Sequence, residues 1–153
     1  MPNSETRILL VDDSDDDIFL VREAFKESGV AHRLDAISDG EAALSFLRED
    51  GNRPDVVLLD INMPRFSGFD VLEWVQSDPS LRDIPIVMLT TSEQPEDVRR
   101  ATEGGARDYF RKPVEFSGLR ELACSVLDRW GQDRSAGREI TDDAGTSDGD
   151  TSA

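Results

Sequence analysis

The chain has 153 residues, a formal net charge of −16, one cysteine and one histidine. That length suits one domain with a real hydrophobic core and leaves little room for a second. The charge repels a phosphate backbone, so nucleic acid is not an expected partner. The lone Cys124 excludes an internal disulfide, and the short stretch before Ile8 is no signal peptide or membrane span, which implies a cytoplasmic location without membrane insertion.

Apolar runs and helix-period segments alternate five times. The first strand is read at Arg7 to Asp12, and Ser14 then caps a helix whose first turn carries Asp15, Asp16 and Asp17, where the helix dipole favours negative charge. Ile18, Val21, Ala24 and Phe25 form its buried stripe, and Gly29 stops it. Arg33 to Ile37 reads as the second strand. Ser38, with Glu41 three residues on, predicts a capping box for a helix burying Ala43, Leu44 and Leu47. Val56 to Asp60 is the third strand, followed by a helix from Phe69 to Ser77 that ends before Pro79. Ile84 to Thr90 is the fourth. The next helix opens at Pro95 and closes at Gly104-Gly105, with only Val98, Ala101 and Thr102 available to face a core, so it should shift easily. Asp108 to Arg111 is the fifth strand, and Glu115 to Trp130 the last helix, on which Phe116, Leu119, Ala123, Val126 and Trp130 share a face. Cys124 sits in that pattern as a packed core thiol, and His32 has no companion ligand. Residues 131 to 153 read as a disordered acidic tail after a folded unit at 1 to 130.

Strands one, three and four are apolar throughout, as in a parallel sheet covered on both faces. Five such units predict an α/β, doubly wound, five-stranded parallel sheet, flavodoxin-like in its order 2-1-3-4-5. In that order the first and third strands are neighbours, and ligands bind beyond their carboxyl ends. Asp12-Asp13 and Asp60 would meet there. Three carboxylates so close are costly unless a cation sits among them, and an incomplete cage of hard oxygens suits Mg²⁺. Thr90-Thr91 and Lys112-Pro113 end the fourth and fifth strands at the same rim. An acid cluster, a hydroxyl and a lysine describe a phosphoryl site, with Asp60 as the attacking carboxylate.

Four elements at strand ends carry a family resemblance: Val11-Asp12-Asp13; Leu58-Leu59-Asp60-Ile61-Asn62-Met63-Pro64 with Gly68; Met88-Leu89-Thr90-Thr91; and Tyr109-Phe110-Arg111-Lys112-Pro113. Together they resemble the receiver domain of two-component response regulators, and the chain looks like the small stand-alone receivers that partner phytochrome-like or other sensor kinases. The resemblance implies that Asp60 is the phosphoacceptor. It implies that Asp13, Asp60 and the Asn62 backbone carbonyl ligate Mg²⁺, with Asp12 acting through water. Thr90 would bond the phosphoryl group, Lys112 would pair with it, and Thr90 with Tyr109 would form the switch. A cis Lys112-Pro113 bond is also implied. The implied partners are a sensor histidine kinase or a histidine phosphotransfer protein and a downstream protein target, with a homodimer through helix four, strand five and helix five as a further possibility.

The functional expectation is a response regulator signalling through a phosphorylation-dependent change of its protein-binding face; a relay intermediate or phosphate sink is the alternative. It would be a phosphoacceptor rather than an enzyme on other substrates, promoting only its own phosphorylation and dephosphorylation. A haloacid-dehalogenase-like phosphatase also uses an aspartyl phosphate, but it needs a second acid where Asn62 stands. No Gly-x-Gly-x-x-Gly follows the first strand to support a dinucleotide enzyme. A scaffold without phosphorylation chemistry typically lacks the acceptor aspartate or the lysine, and both are present. With 15 arginines, two lysines and 21 aspartates, the surface also suits high salt, where screening weakens self-repulsion.

Overall fold

A strand apolar at every position is stable only where helices cover both of its faces, and this requirement organises the molecule. The computed structural model describes residues 5–92 and 94–131. Along them alternate β1 (Thr6–Val11), α1 (Asp15–Glu27), β2 (His32–Ile37), α2 (Gly40–Arg48), β3 (Val56–Leu59), α3 (Gly68–Ser77), β4 (Ile86–Thr90), α4 (Pro95–Glu103), β5 (Asp108–Arg111) and α5 (Phe116–Trp130). The strands form one sheet in the order β2-β1-β3-β4-β5, and every pairing is parallel. Partly exposed residues fall mainly on the two edge strands, β2 and β5; in the central strands only Arg7 of β1 is partly exposed.

Within the central strands, side chains still alternate between the faces. Leu9, Val11, Val57 and Leu59 join Ala43, Leu47, Val71 and Val75 of α2 and α3 in one core. Ile8, Leu10, Val56 and Leu58 join Phe25 of α1 and Leu122, Ala123 and Val126 of α5 in the other. No helix among the described residues is long and apolar enough to cross a membrane.

Local chemistry moves several boundaries from their expected places. α2 is capped by Asp39, whose carboxylate accepts the Ala42 N–H at 3.1 Å. The Ser38–Glu41 capping box does not form, and Glu41 instead faces Arg65 at 3.5 Å. β4 starts at Ile86 because Ile84 closes a turn onto Leu81 and Pro85 has no N–H for the ladder. α4 buries Ala101 alone; Val98 is 38% exposed and Thr102 turns its hydroxyl back to the Val98 carbonyl. Cys124, expected in the core, is exposed, because α5 turns Leu122, Ala123, Val126 and Leu127 inward and position 124 falls outside that stripe. The Lys112-Pro113 bond is trans, like every peptide bond among the described residues; trans is the intrinsically preferred isomer by about 0.5–1 kcal/mol. The acidic tail expected from 131 onward lies outside the described residues beyond Gly131.

Phe25 is fully buried between α1 and the sheet. Phe25→Ala should therefore cost about 3–5 kcal/mol, read as a lower urea midpoint at an unchanged denaturant slope. A loss below about 1 kcal/mol would contradict the packing of this face.

Candidate functional site

In a parallel sheet, residues at equal distances beyond paired positions emerge side by side. Val11 pairs with Leu59, so Asp12 and Asp60, each one residue past its strand, are lateral neighbours. The Asp60 N–H donates to the Val11 carbonyl at 2.9 Å, and the Asp12 N–H to the Ile37 carbonyl at 3.1 Å. One oxygen from each of Asp12, Asp13 and Asp60 lies within 4.8 Å of the other two. Asp12 is fully buried and Asp60 is 6% exposed, while Asp13 faces solvent.

The loop after β3 holds Asp60 in place. The Asn62 N–H donates to Asp60 Oδ1 at 3.3 Å, and the Ile61 carbonyl accepts N–H bonds from Met63 at 3.2 Å and Gly68 at 2.9 Å. Gly68 is required by close approach. A Cβ there would sit inside the contact radius of the Asp60 carbonyl oxygen and 2.9 Å from Ile61 Cα, so the loop folds back onto the acid only because the side chain is absent.

From the other side, the Lys112 N–H donates to the Thr90 carbonyl at 2.7 Å, fastening the end of β5 to β4. Its ammonium stands 2.7 Å from Asp12 Oδ2, 2.8 Å from Asp17 Oδ2 and 3.7 Å from Asp60 Oδ2. The Asp17 contact is a hydrogen bond. The approach to Asp12 lies off the hydrogen-bond direction and leaves that buried oxygen without a donor. Asp12 Oδ1 accepts the Ser14 N–H at 3.0 Å. Thr90 is fully buried. Tyr109, half-buried, packs its ring against the α2–α3 core and donates its hydroxyl to the Ser92 carbonyl at 3.1 Å.

Every residue expected at the site thus reaches this rim or its flank, and one residue was missed. Asp17, read only as a favourable charge in the first turn, joins the crevice through Lys112. The signal for it was present: Asp17, Val21 and Ala24 stand at i, i+4 and i+7, one face of a helix, and Val21 and Ala24 are buried.

Charge balance follows from this geometry. Burial pushes the Asp60 carboxyl above its ordinary value; Lys112 opposes the shift, Asp12 reinforces it, and the Asn62 N–H and Thr90 hydroxyl oppose it. Burial works against the Lys112 ammonium, but Asp12, Asp17 and Asp60 outweigh it and raise the group above its usual value. Burial likewise raises Tyr109, against its bond to Ser92. The donor set fits a hard divalent cation. It is entirely carboxylate oxygen, incomplete as a cage, and it includes the buried Asp12 oxygen, which has the Lys112 ammonium beside it.

One consequence concerns pH. Because the folded Asp60 pKa lies above the unfolded value, the native state binds more protons between the two, and its stability falls as pH rises through that window. In metal-free protein at neutral pH, Asp60→Asn should therefore raise the melting temperature, and the gain should shrink as pH falls through the raised Asp60 pKa and be gone by about pH 4. An unchanged or lower melting temperature at pH 7 would show that Asp60 bears no net burden from burial.

The profile of the response regulator receiver domain matches residues 8–123. A probable methanogenesis regulatory protein, FilR2, of Methanothrix harundinacea is 38% identical over 135 residues, covering 85% of this chain and 87% of the relative. The response regulator Rcp1 of Synechocystis is 37% identical over 128 residues, covering 80% and 87%, and its Mn²⁺-bound structure superposes with a TM-score of 0.74 at 34% identity, covering 87% and 99%. The phosphorylated cyanobacterial phytochrome response regulator RcpA superposes with a TM-score of 0.77 at 33% identity, covering 83% and 94%. With this sheet order, this acid cluster and these matches, the chain belongs to the response regulator receiver domain family and is homologous to stand-alone response regulators.

Proposed function

We propose that the protein is a cytoplasmic signalling switch in which Asp60 accepts a phosphoryl group from the phosphohistidine of a sensor kinase or histidine phosphotransfer protein. The observation that carries this reading is the convergence of Asp12, Asp13 and Asp60 with Lys112 at one rim. A carboxylate oxygen of Asp60 attacks phosphorus; the O–P bond forms as the N–P bond breaks, and because the other nitrogen of the phosphohistidine ring carries a proton, a neutral imidazole leaves. Mg²⁺ held by Asp13, Asp60 and the Asn62 carbonyl, with Asp12 through water, would supply the charge that keeps Asp60 ionised and offsets the anionic phosphoryl group. Lys112 gives its ammonium to a phosphoryl oxygen, and Thr90 its hydroxyl. Catalysis is confined to the protein's own phosphorylation and dephosphorylation.

Readout begins at Thr90. Drawing its hydroxyl toward the phosphoryl group removes bulk from beneath Tyr109, which pairs across the sheet with Met88, two residues earlier. The Tyr109 ring then turns inward and gives up its bond to the Ser92 carbonyl. α4, anchored by Ala101 alone, moves with the loop, and the α4–β5–α5 face changes its affinity for a protein target or a second copy. This is a population shift between two packings. Exposed Leu20 and Val114, which line the cavity beside Lys112 on α1 and the β5–α5 loop, offer the phosphodonor an apolar rim. The receiver extends over residues 1–130, with the acidic segment at 131–153 appended.

Acetyl phosphate with Mg²⁺ should label the wild-type chain and leave Asp60→Asn unlabelled; persistent labelling of the variant would place the acceptor elsewhere. Free Mg²⁺ at about 100 times its dissociation constant should add about 2.7 kcal/mol of stability, a gain that Asp13→Ala should largely remove. Beryllofluoride with Mg²⁺ should shift amide resonances from Thr90 to Lys112. Silence in that segment would sever the proposed coupling even if Asp60 is labelled.

A further inference from the structure

Lys112 has three N–H donors on a flexible four-carbon stem, and three carboxylates surround it. Asp12 and Asp60 belong to the acid cluster. Asp17 does not, although its Oδ2 accepts from the ammonium at 2.8 Å, while Asp60 Oδ2 is 3.7 Å away. Packing leaves the lysine unsecured on one side, because a cavity of about 220 Å³ opens there, lined by Asp17, Leu20, Lys112, Val114 and Phe116 among others. Asp17 itself is well placed to act as an anchor. Its N–H donates to Ser14 Oγ at 3.2 Å, and the helix that bears it is fixed by buried Val21, Ala24 and Phe25.

We propose that Asp17 is a positioning residue for Lys112: its carboxylate accepts a hydrogen bond from the ammonium and holds the group at the crevice, leaving a donor free for an oxygen of the phosphoryl group on Asp60. The inference rests on the phosphoacceptor reading and deepens it. Of the carboxylates around the ammonium, Asp17 is the one with no place in the metal cluster, so its hold on Lys112 persists when the other acids change partners. Without it, the stem can swing toward the cavity, and phosphoryl binding must then recover the lysine from many conformers, which weakens binding without altering the chemistry at Asp60. Asp17 remains partly exposed, at 37% of its side chain, so the effect is moderate.

The test is a double-mutant cycle on the full chain, titrated with beryllofluoride in saturating Mg²⁺ and read by amide resonances. Asp17→Asn should weaken beryllofluoride binding about three- to tenfold, Asp17→Glu should restore part of the loss, and Mg²⁺ affinity should stay within about twofold of wild type. Lys112→Ala should weaken binding further, and Asp17→Asn should then add nothing in that background. General damage to the fold would appear in both backgrounds and so is separated from positioning. Wild-type affinity in Asp17→Asn, or an equal loss with and without Lys112, would overturn the assignment of Asp17 alone. Failure of the wild-type chain itself to bind beryllofluoride would overturn the Asp60 reading together with it.

Discussion

Two buried carboxylates and a third beside them at the end of a parallel sheet are the arrangement that the rest of this molecule serves. Like charges at this separation oppose ionisation, and burial adds to the cost. The sheet register imposes the arrangement regardless, since Val11 and Leu59 are paired and the next residue of each strand is an aspartate. What makes it tolerable is local: Asn62 and Ser14 donate backbone hydrogen bonds to Asp60 and Asp12, and Lys112 brings positive charge to Asp12 and Asp60. Removing Lys112 would leave these buried acids uncompensated, which costs far more than the intact cluster contributes. Such a site is therefore poised to respond to any added charge.

The apolar architecture supplies the rigidity that this response needs. β1, β3 and β4 are buried along their whole lengths, apart from one partly exposed position at Arg7, and helices clamp them on both faces, so the acids cannot relax by moving apart. Compliance is concentrated elsewhere, in the edge strand β5 and in α4. A charge change at Asp60 thus meets a stiff wall at β1, β3 and β4 and thinner packing beyond them at β5 and α4. Strain is relieved along the path of least packing.

Much of this was legible in the residues, for physical reasons that differ by element. All-apolar runs identify buried parallel strands, and Ser14 and Pro95 mark helix starts through backbone hydrogen-bond needs that are local in sequence. The convergence of Asp12, Asp13, Asp60, Thr90 and Lys112 followed from strand order, because ends of parallel strands share one edge. What was missed depends on neighbours distant in sequence or on helix phase. Cys124 is apolar enough for a core, but its exposure is decided by a rotation of α5 that one residue type cannot report. Asp39 outcompeted Ser38 as a cap although both are good candidates. The bond before Pro113 takes the intrinsically preferred trans form, against the family expectation. Asp17 was hidden in a run of acids whose inward member is chosen by the phase of α1.

The composition bears on the crevice in a way that no single contact does. The chain uses 15 arginines and only two lysines, Lys26 and Lys112, so arginine is its usual surface cation. Where three carboxylates surround one cation among the described residues, that cation is a lysine. An arginine fork binds one carboxylate through two parallel hydrogen bonds and would commit its geometry to Asp12, Asp17 or Asp60. The ammonium is a compact charge with three rotatable donors, able to keep one acid while exchanging another for a phosphoryl oxygen. Lysine is the side chain that can remain anchored while its partners change, and that requirement arises only if the partners do change.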